Sequence, residues 1–110
     1  MAFGISNLAF ADDRREGRDE VHHRIRAFGP DARPINLLIV NISPHGLMAR
    51  CESPLNVGDR LRITLPAVGV KIADVRWYLG GRLGCQFDGA IDLAGYYELL
   101  AKLLKPAPTK

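Results

Sequence analysis

From position 21 the chain alternates between apolar and polar residues. Val21, His23, Ile25 and Ala27 share one parity and His22, Arg24, Arg26 and Phe28 the other, until Gly29-Pro30 interrupts. A period of two marks a half-buried strand. A second run, 35–41, follows Pro34 and is apolar on both parities, with Leu38, Val40 and Ile42 on one face and Leu37 and Ile39 sharing the other with Asn41 and Ser43. Such a strand calls for cover on both sides. Leu47, Ala49 and Cys51 then alternate with Met48, Arg50 and Glu52, and after a loop over 54–59, Leu61, Ile63 and Leu65 alternate with Arg60, Arg62 and Thr64. A turn at 66–69 leads into a longer strand, 70–79, with Ala73, Val75, Trp77 and Leu79 on one face, which places Trp77 in the core. Gly80-Gly81 is a hairpin signal. The last strand sets Leu83, Cys85 and Phe87 inward, with Gly84 and Gln86 outward. Six short strands separated by turns predict an all-β, closed or nearly closed antiparallel barrel over about 21–88. Closure also removes the exposed edges that so many apolar strands would otherwise present.

The period then lengthens. Leu93, Tyr96, Tyr97, Leu100, Leu103 and Leu104 follow the i, i+3, i+4, i+7 spacing of one helical stripe, predicting a C-terminal helix over about 91–105. Asp92 is placed as its N-cap, Lys102 and Lys105 lie near its negative end, and Pro106 stops it ahead of a tail at 106–110. The stripe needs a surface. The outer apolar face of the second strand, Leu37 and Ile39, is the expected one, with a partner protein as the alternative.

Composition narrows the classes. A chain of 110 residues has room for one domain with one modest core. Fifteen Lys and Arg against twelve Asp and Glu leave a formal charge of +3, too little for bulk polyanion binding. Aromatic residues make up 7%, few for a barrel that reads nucleic acid on stacking platforms. Cys51 and Cys85 both sit in apolar runs without metal-ligand spacing, as buried free thiols do. His22, His23 and His45 lack ligand spacing too, and no nucleophile elbow, Walker loop or zinc motif occurs, so neither a metal nor an enzyme is expected. The first eleven residues lack the basic start of a signal peptide and are too short to span a bilayer, which sets the expectation of a soluble, cytoplasmic protein.

Two stretches exceed what folding asks of them. Residues 1–13 read as a flexible N-terminal arm, followed by Arg14-Arg15-Glu16-Gly17-Arg18-Asp19-Glu20, dense in charge and without an apolar anchor. A solvated linker is the plain reading. Arg14 and Arg18, four apart with Gly17 between, also put two guanidinium forks on one side of the chain, which suits a ligand with several planar or anionic acceptors. The second stretch is Asn41-Ile42-Ser43-Pro44-His45-Gly46. Pro and Gly are enough for a turn. Asn41 and Ser43 add an amide and a hydroxyl on one face, and Gly46 lets the backbone approach closely. An Asx/Ser turn capping a strand end is the alternative.

Arg14-x-x-x-Arg18 followed by Asn41-x-Ser43-x-x-Gly46, on six strands and a final helix, resembles the PilZ domain family. That family's pattern joins an RxxxR arm to a [D/N]xSxxG turn. The stretches Val75-Arg76-Trp77 and Gly84-Cys85-Gln86-Phe87 resemble its later strands, and the likeness covers about 14–104. The resemblance implies a PilZ-type barrel and a bacterial receptor for the second messenger cyclic di-GMP, with no cofactor and no catalysis. It assigns ligand clamping to Arg14 and Arg18, with Arg15 as an additional phosphate or stacking contact. It assigns ligand hydrogen bonds to Asn41 and Ser43, and the tight turn to Gly46. Guanine O6 and N7 suit an arginine fork. The implied signal is ordering of the arm on ligand binding, which alters the surface met by a downstream effector protein; neither membrane nor DNA or RNA is an expected partner. Two alternatives stand beside it: a PilZ-like adaptor that binds protein without nucleotide, and a small nucleic-acid-binding barrel.

Overall fold

The computed structural model describes residues 18–104. Arg14, Arg15, the arm at 1–13, Lys105 and Pro106 lie outside the described residues. Among the described residues six strands form in chain order: β1 Asp19–Phe28, β2 Pro34–Ser43, β3 Gly46–Arg50, β4 Arg60–Leu65, β5 Gly69–Leu79 and β6 Arg82–Phe87; a helix, α1, follows at Leu93–Leu103. They close into a barrel in the order β1-β2-β3-β6-β5-β4, with every pairing antiparallel. Ala27 opposite Ile63 and Phe28 opposite Arg62 make the closing seam between β1 and β4. The expected closed barrel with a C-terminal helix is thus the observed fold.

Where the alternation is regular, it directs the side chains as the pattern predicts. Leu61, Ile63 and Leu65 of β4 are buried between exposed Arg60, Arg62 and Thr64. Leu83, Cys85 and Phe87 of β6 are buried likewise. Three bulges break the period elsewhere, in β1 between Glu20 and His23, in β2 between Ile39 and Asn41, and in β5 between Val75 and Trp77. An inserted residue reverses the facing of everything after it.

The bulge at Val40 corrects the expected faces of β2. Ile35, Leu37 and Ile39 point into the barrel, and beyond the bulge Ile42 takes over that role at 0% exposure. Asn41 and Ser43 do share a face, but it is the outer one, not that of Leu37 and Ile39. The bulge at Arg76 corrects Trp77 in the same way. Ala73 and Val75 are in the core, whereas Trp77 is 38% exposed and Leu79 77% exposed on the outside.

The helix is where the 3.6-residue period placed it, turned from the expected face. Tyr96, Leu99 and Leu103 are buried and Leu100 is half-buried, while Leu93, Tyr97 and Leu104 are exposed. Leu99, absent from the predicted stripe, is at its centre. Leu37 and Ile39 face inward and cannot receive the helix from outside. Its buried side chains, with Ile91, instead join the cluster that fills the barrel. Full burial of Leu99 alone stabilises by about 2 kcal/mol. Asp92 occupies the N-cap position with extended backbone, but its side chain makes no capping hydrogen bond. The main chain stitches this end together: the Phe87 N–H donates to the His45 carbonyl and the Ile91 N–H to the Pro44 carbonyl, each at 2.8 Å. The Pro44-His45 turn is therefore held from below by the link into the helix.

Both cysteines are free and buried. Burial pushes the Cys85 thiol up from 9.0 to about 12. A thiol that keeps its proton in the fold stabilises fully below its unfolded pKa, and that contribution is lost as pH rises from about 9 towards 12. Thiolate, not thiol, reacts with alkylating agents. Cys85 is therefore expected to resist iodoacetamide at pH 8 in native protein and to react at once in denaturant, read as the mass increment of its peptide.

Candidate functional site

The Asn-x-Ser-x-x-Gly turn connects β2 to β3, and the bulge at Val40 decides what its polar side chains face. Ile42, between Asn41 and Ser43, anchors the segment in the core, so both neighbours lie on the outer side of the strand, Asn41 half-buried and Ser43 buried. The Arg18 guanidinium donates to Asn41 Oδ1 at 3.3 Å. The amide's other end, Nδ2, donates to Met48 Sδ at 3.1 Å. Asn41 is thus oriented from both sides, with Arg18 exposed above it. Ser43 Oγ accepts the His45 N–H at 3.1 Å, which spends one of its lone pairs on the turn. The Ser-turn reading is therefore met in the fold, with Ser43 itself buried.

Gly46 has a reason the sequence did not show. Its φ is outside the left-handed region, so the turn does not require glycine there. A Cβ at this position would overlap the carbonyl oxygen of Cys85 on β6. Gly46 is needed because β3 and β6 come too close for a side chain.

Register carries the site across the barrel. Asn41 lies opposite Met48, Met48 opposite Gly84, and Gly84 opposite Trp77, so one outer row crosses β2, β3, β6 and β5. At the usual strand spacing this row is about 14 Å wide. The Trp77 indole packs over Gly84, where a Cβ would collide with it. The next row towards the turn holds Ser43, Gly46, Gln86 and Asp74. Arg60 borders it, but its fork is occupied by Asp74 at 2.9 Å and Asp88 at 2.6 Å. Of the residues expected at a ligand site, the structure brings together Arg18, Asn41, Ser43 and Gly46; Arg14 and Arg15 lie outside the described residues. Sequence reasoning missed Met48, Gln86 and the outward placement of Trp77. Gly84 facing Trp77 is the signal that could have found it, since an indole over a sheet needs a position without a side chain beneath it.

Tyr96 joins this turn to the helix. Its hydroxyl lies 2.7 Å from Asp19 Oδ2 and 2.9 Å from the Ile42 carbonyl oxygen, donating towards both. Burial, and then the Asp19 carboxylate, push the phenol well above its ordinary range, so it keeps its proton. One side chain of α1 thereby holds the residue after Arg18 and the residue between Asn41 and Ser43. Tyr96→Phe keeps the ring and deletes the hydroxyl. It is expected to cost about 1–3 kcal/mol, seen as a lower urea midpoint with unchanged slope.

Among the described residues no group of His, Cys, Asp and Glu is placed to hold a metal ion, and no helix is long and apolar enough to cross a membrane. The surface presents an amide, a guanidinium and an indole face, with the buried Ser43 hydroxyl beside them. That set matches a ligand with planar faces and several hydrogen-bond acceptors. No curated protein matches the chain. The family model for the PilZ domain matches residues 12–104, from the arginine arm through the turn and barrel to the end of the helix, and the chain belongs to the PilZ domain family.

Proposed function

We propose that this chain is a bacterial, cytoplasmic receptor for cyclic di-GMP, binding through Arg14, Arg15, Arg18, Asn41, Ser43 and Gly46. The observation that carries the reading is the Arg18–Asn41 hydrogen bond, which joins the arginine motif to the turn motif at one place on the barrel. A guanine has the O6 and N7 acceptors that an arginine fork matches, and the two phosphates of cyclic di-GMP make the ligand anionic. Trp77 adds a flat apolar surface at the far end of the same row, within reach of a ligand of two bases. The ligand then draws Arg14 and Arg15 to the surface that Arg18 marks. The signal is the altered face that a downstream effector protein meets, and the protein carries out no reaction of its own.

Calorimetric titration with cyclic di-GMP tests this. A dissociation constant in the micromolar range or tighter is expected, about −8 kcal/mol, with GTP and linear di-GMP much weaker. Trp77 is the single tryptophan of the chain, so its emission should change in the same titration. Absence of both heat and an emission change at high ligand concentration overturns the receptor reading in favour of a PilZ adaptor that binds protein alone.

A further inference from the structure

One row beyond Asn41, Met48, Gly84 and Trp77, the outer face of the barrel changes character. Arg24 of β1 lies opposite Leu38 of β2, Leu38 opposite Arg50 of β3, and Arg50 opposite Arg82 of β6. All three arginines are exposed. Among the described residues, none of them has a carboxylate within 4.0 Å, whereas Arg33 and Arg60 on the same molecule do. Like charges directly opposite on neighbouring strands destabilise a sheet. Arg50 and Arg82 are such a pair, and no described side chain neutralises it.

A cleft of about 470 Å³ opens on this row, with Arg24, Asn36, Leu38, Arg50 and Tyr78 in its lining. Glu52 is the one acid there, and it pairs with none of the arginines. The Tyr78 hydroxyl donates towards the Cys51 and Ser53 carbonyls at 3.4 and 3.3 Å, which fixes the ring as a wall. Leu79, opposite Arg82, adds an apolar side chain that is 77% exposed.

We propose that this arginine row is a docking surface for an acidic segment of a partner protein, separate from the nucleotide surface. Charge complementarity decides the class of partner: three unneutralised forks suit carboxylates, which they hold bidentately. The barrel is closed, so such a segment cannot add as a strand and is held by side chains alone. Strand spacing sets Arg50 and Arg82 about 5 Å apart and Arg24 about 10 Å from Arg50. Alternate residues of an extended peptide lie about 7 Å apart, a spacing that long arginine side chains accommodate. Leu38 and Leu79 give the segment's apolar side chains an aliphatic floor. Single-stranded nucleic acid instead calls for aromatic platforms between the cations. Here the one aromatic wall, Tyr78, is tied down at its hydroxyl.

The test is fluorescence anisotropy with a fluorescein-labelled peptide, Glu-Glu-Leu-Glu-Glu-Leu-Glu-Glu, titrated with the full chain at low salt and again with R50E/R82E and with Arg24→Glu. All three positions are exposed, and circular dichroism checks that each variant remains folded. Saturable binding that falls at least tenfold in R50E/R82E and weakens in Arg24→Glu is expected, with little competition from oligo-dT of equal charge. Absence of binding, binding unchanged in the folded variants, or tighter binding of oligo-dT than of the peptide overturns the proposal. Cyclic di-GMP titrated into R50E/R82E separates the two surfaces: retained nucleotide affinity with lost peptide affinity is the expected result, and loss of both overturns the separation.

Discussion

Arg18→Ala should weaken cyclic di-GMP binding at least tenfold and leave the melting temperature where it was. Hydrogen bonds to a charged group contribute about 1.5–3 kcal/mol, and each 1.4 kcal/mol is a factor of about ten in affinity. Arg18 is exposed, so its loss is expected to cost the fold little. Exposed substitutions of this kind usually stay within about 0.5 kcal/mol of the parent. Arg14→Ala should behave in the same way if the arginine arm acts as a unit. Calorimetry paired with thermal melts reads both quantities. A variant that binds as tightly as the parent removes Arg18 from the site, and one that unfolds makes the arm structural.

Gly46→Ala should be the most damaging single methyl in the barrel. The added Cβ would overlap the Cys85 carbonyl oxygen, and backbone on a neighbouring strand cannot rotate away as a long side chain would. The β3–β6 pair must spread, which strains the core beside it at a cost of about 1–3 kcal/mol. The turn that orients Asn41 and Ser43 begins at this pair, so ligand affinity should fall together with stability. Arg18→Ala separates the two effects and Gly46→Ala couples them. Urea denaturation followed by titration of the folded fraction distinguishes these patterns. Full stability in Gly46→Ala would mean that the strands are not as close as the structure places them.

Much of the fold is already visible in the order of residues. β4 keeps strict alternation, and β6 departs from it only at Gly84, covered by Trp77, because each packs one face on the core and has no bulge, and their inward-facing apolar sets follow directly from hydrophobicity. The helix shows in its 3.6-residue spacing, and the glycine and proline positions mark the turns. The two polar motifs stand out for a related reason: an arginine pair without apolar neighbours, and an Asn and a Ser at a turn that needs neither.

Tertiary structure alone decided the rest, wherever one element's geometry depends on its partner. A bulge exists only by comparison with the strand across from it, so no count along β2 or β5 shows that Val40 and Arg76 are the extra residues. Those two insertions turned Asn41 and Ser43 away from Leu37 and Ile39, brought Trp77 to the surface, and aligned it with Asn41 across four strands. The helix has two apolar stripes, and hydrophobicity ranks them nearly alike. The Asp19 carboxylate and the Ile42 carbonyl, waiting for the Tyr96 hydroxyl, accompany burial of the face with Leu99 and exposure of the one with Tyr97. Residue identity along a chain records what a side chain prefers, while which neighbour satisfies it is set by the register and closure of the barrel.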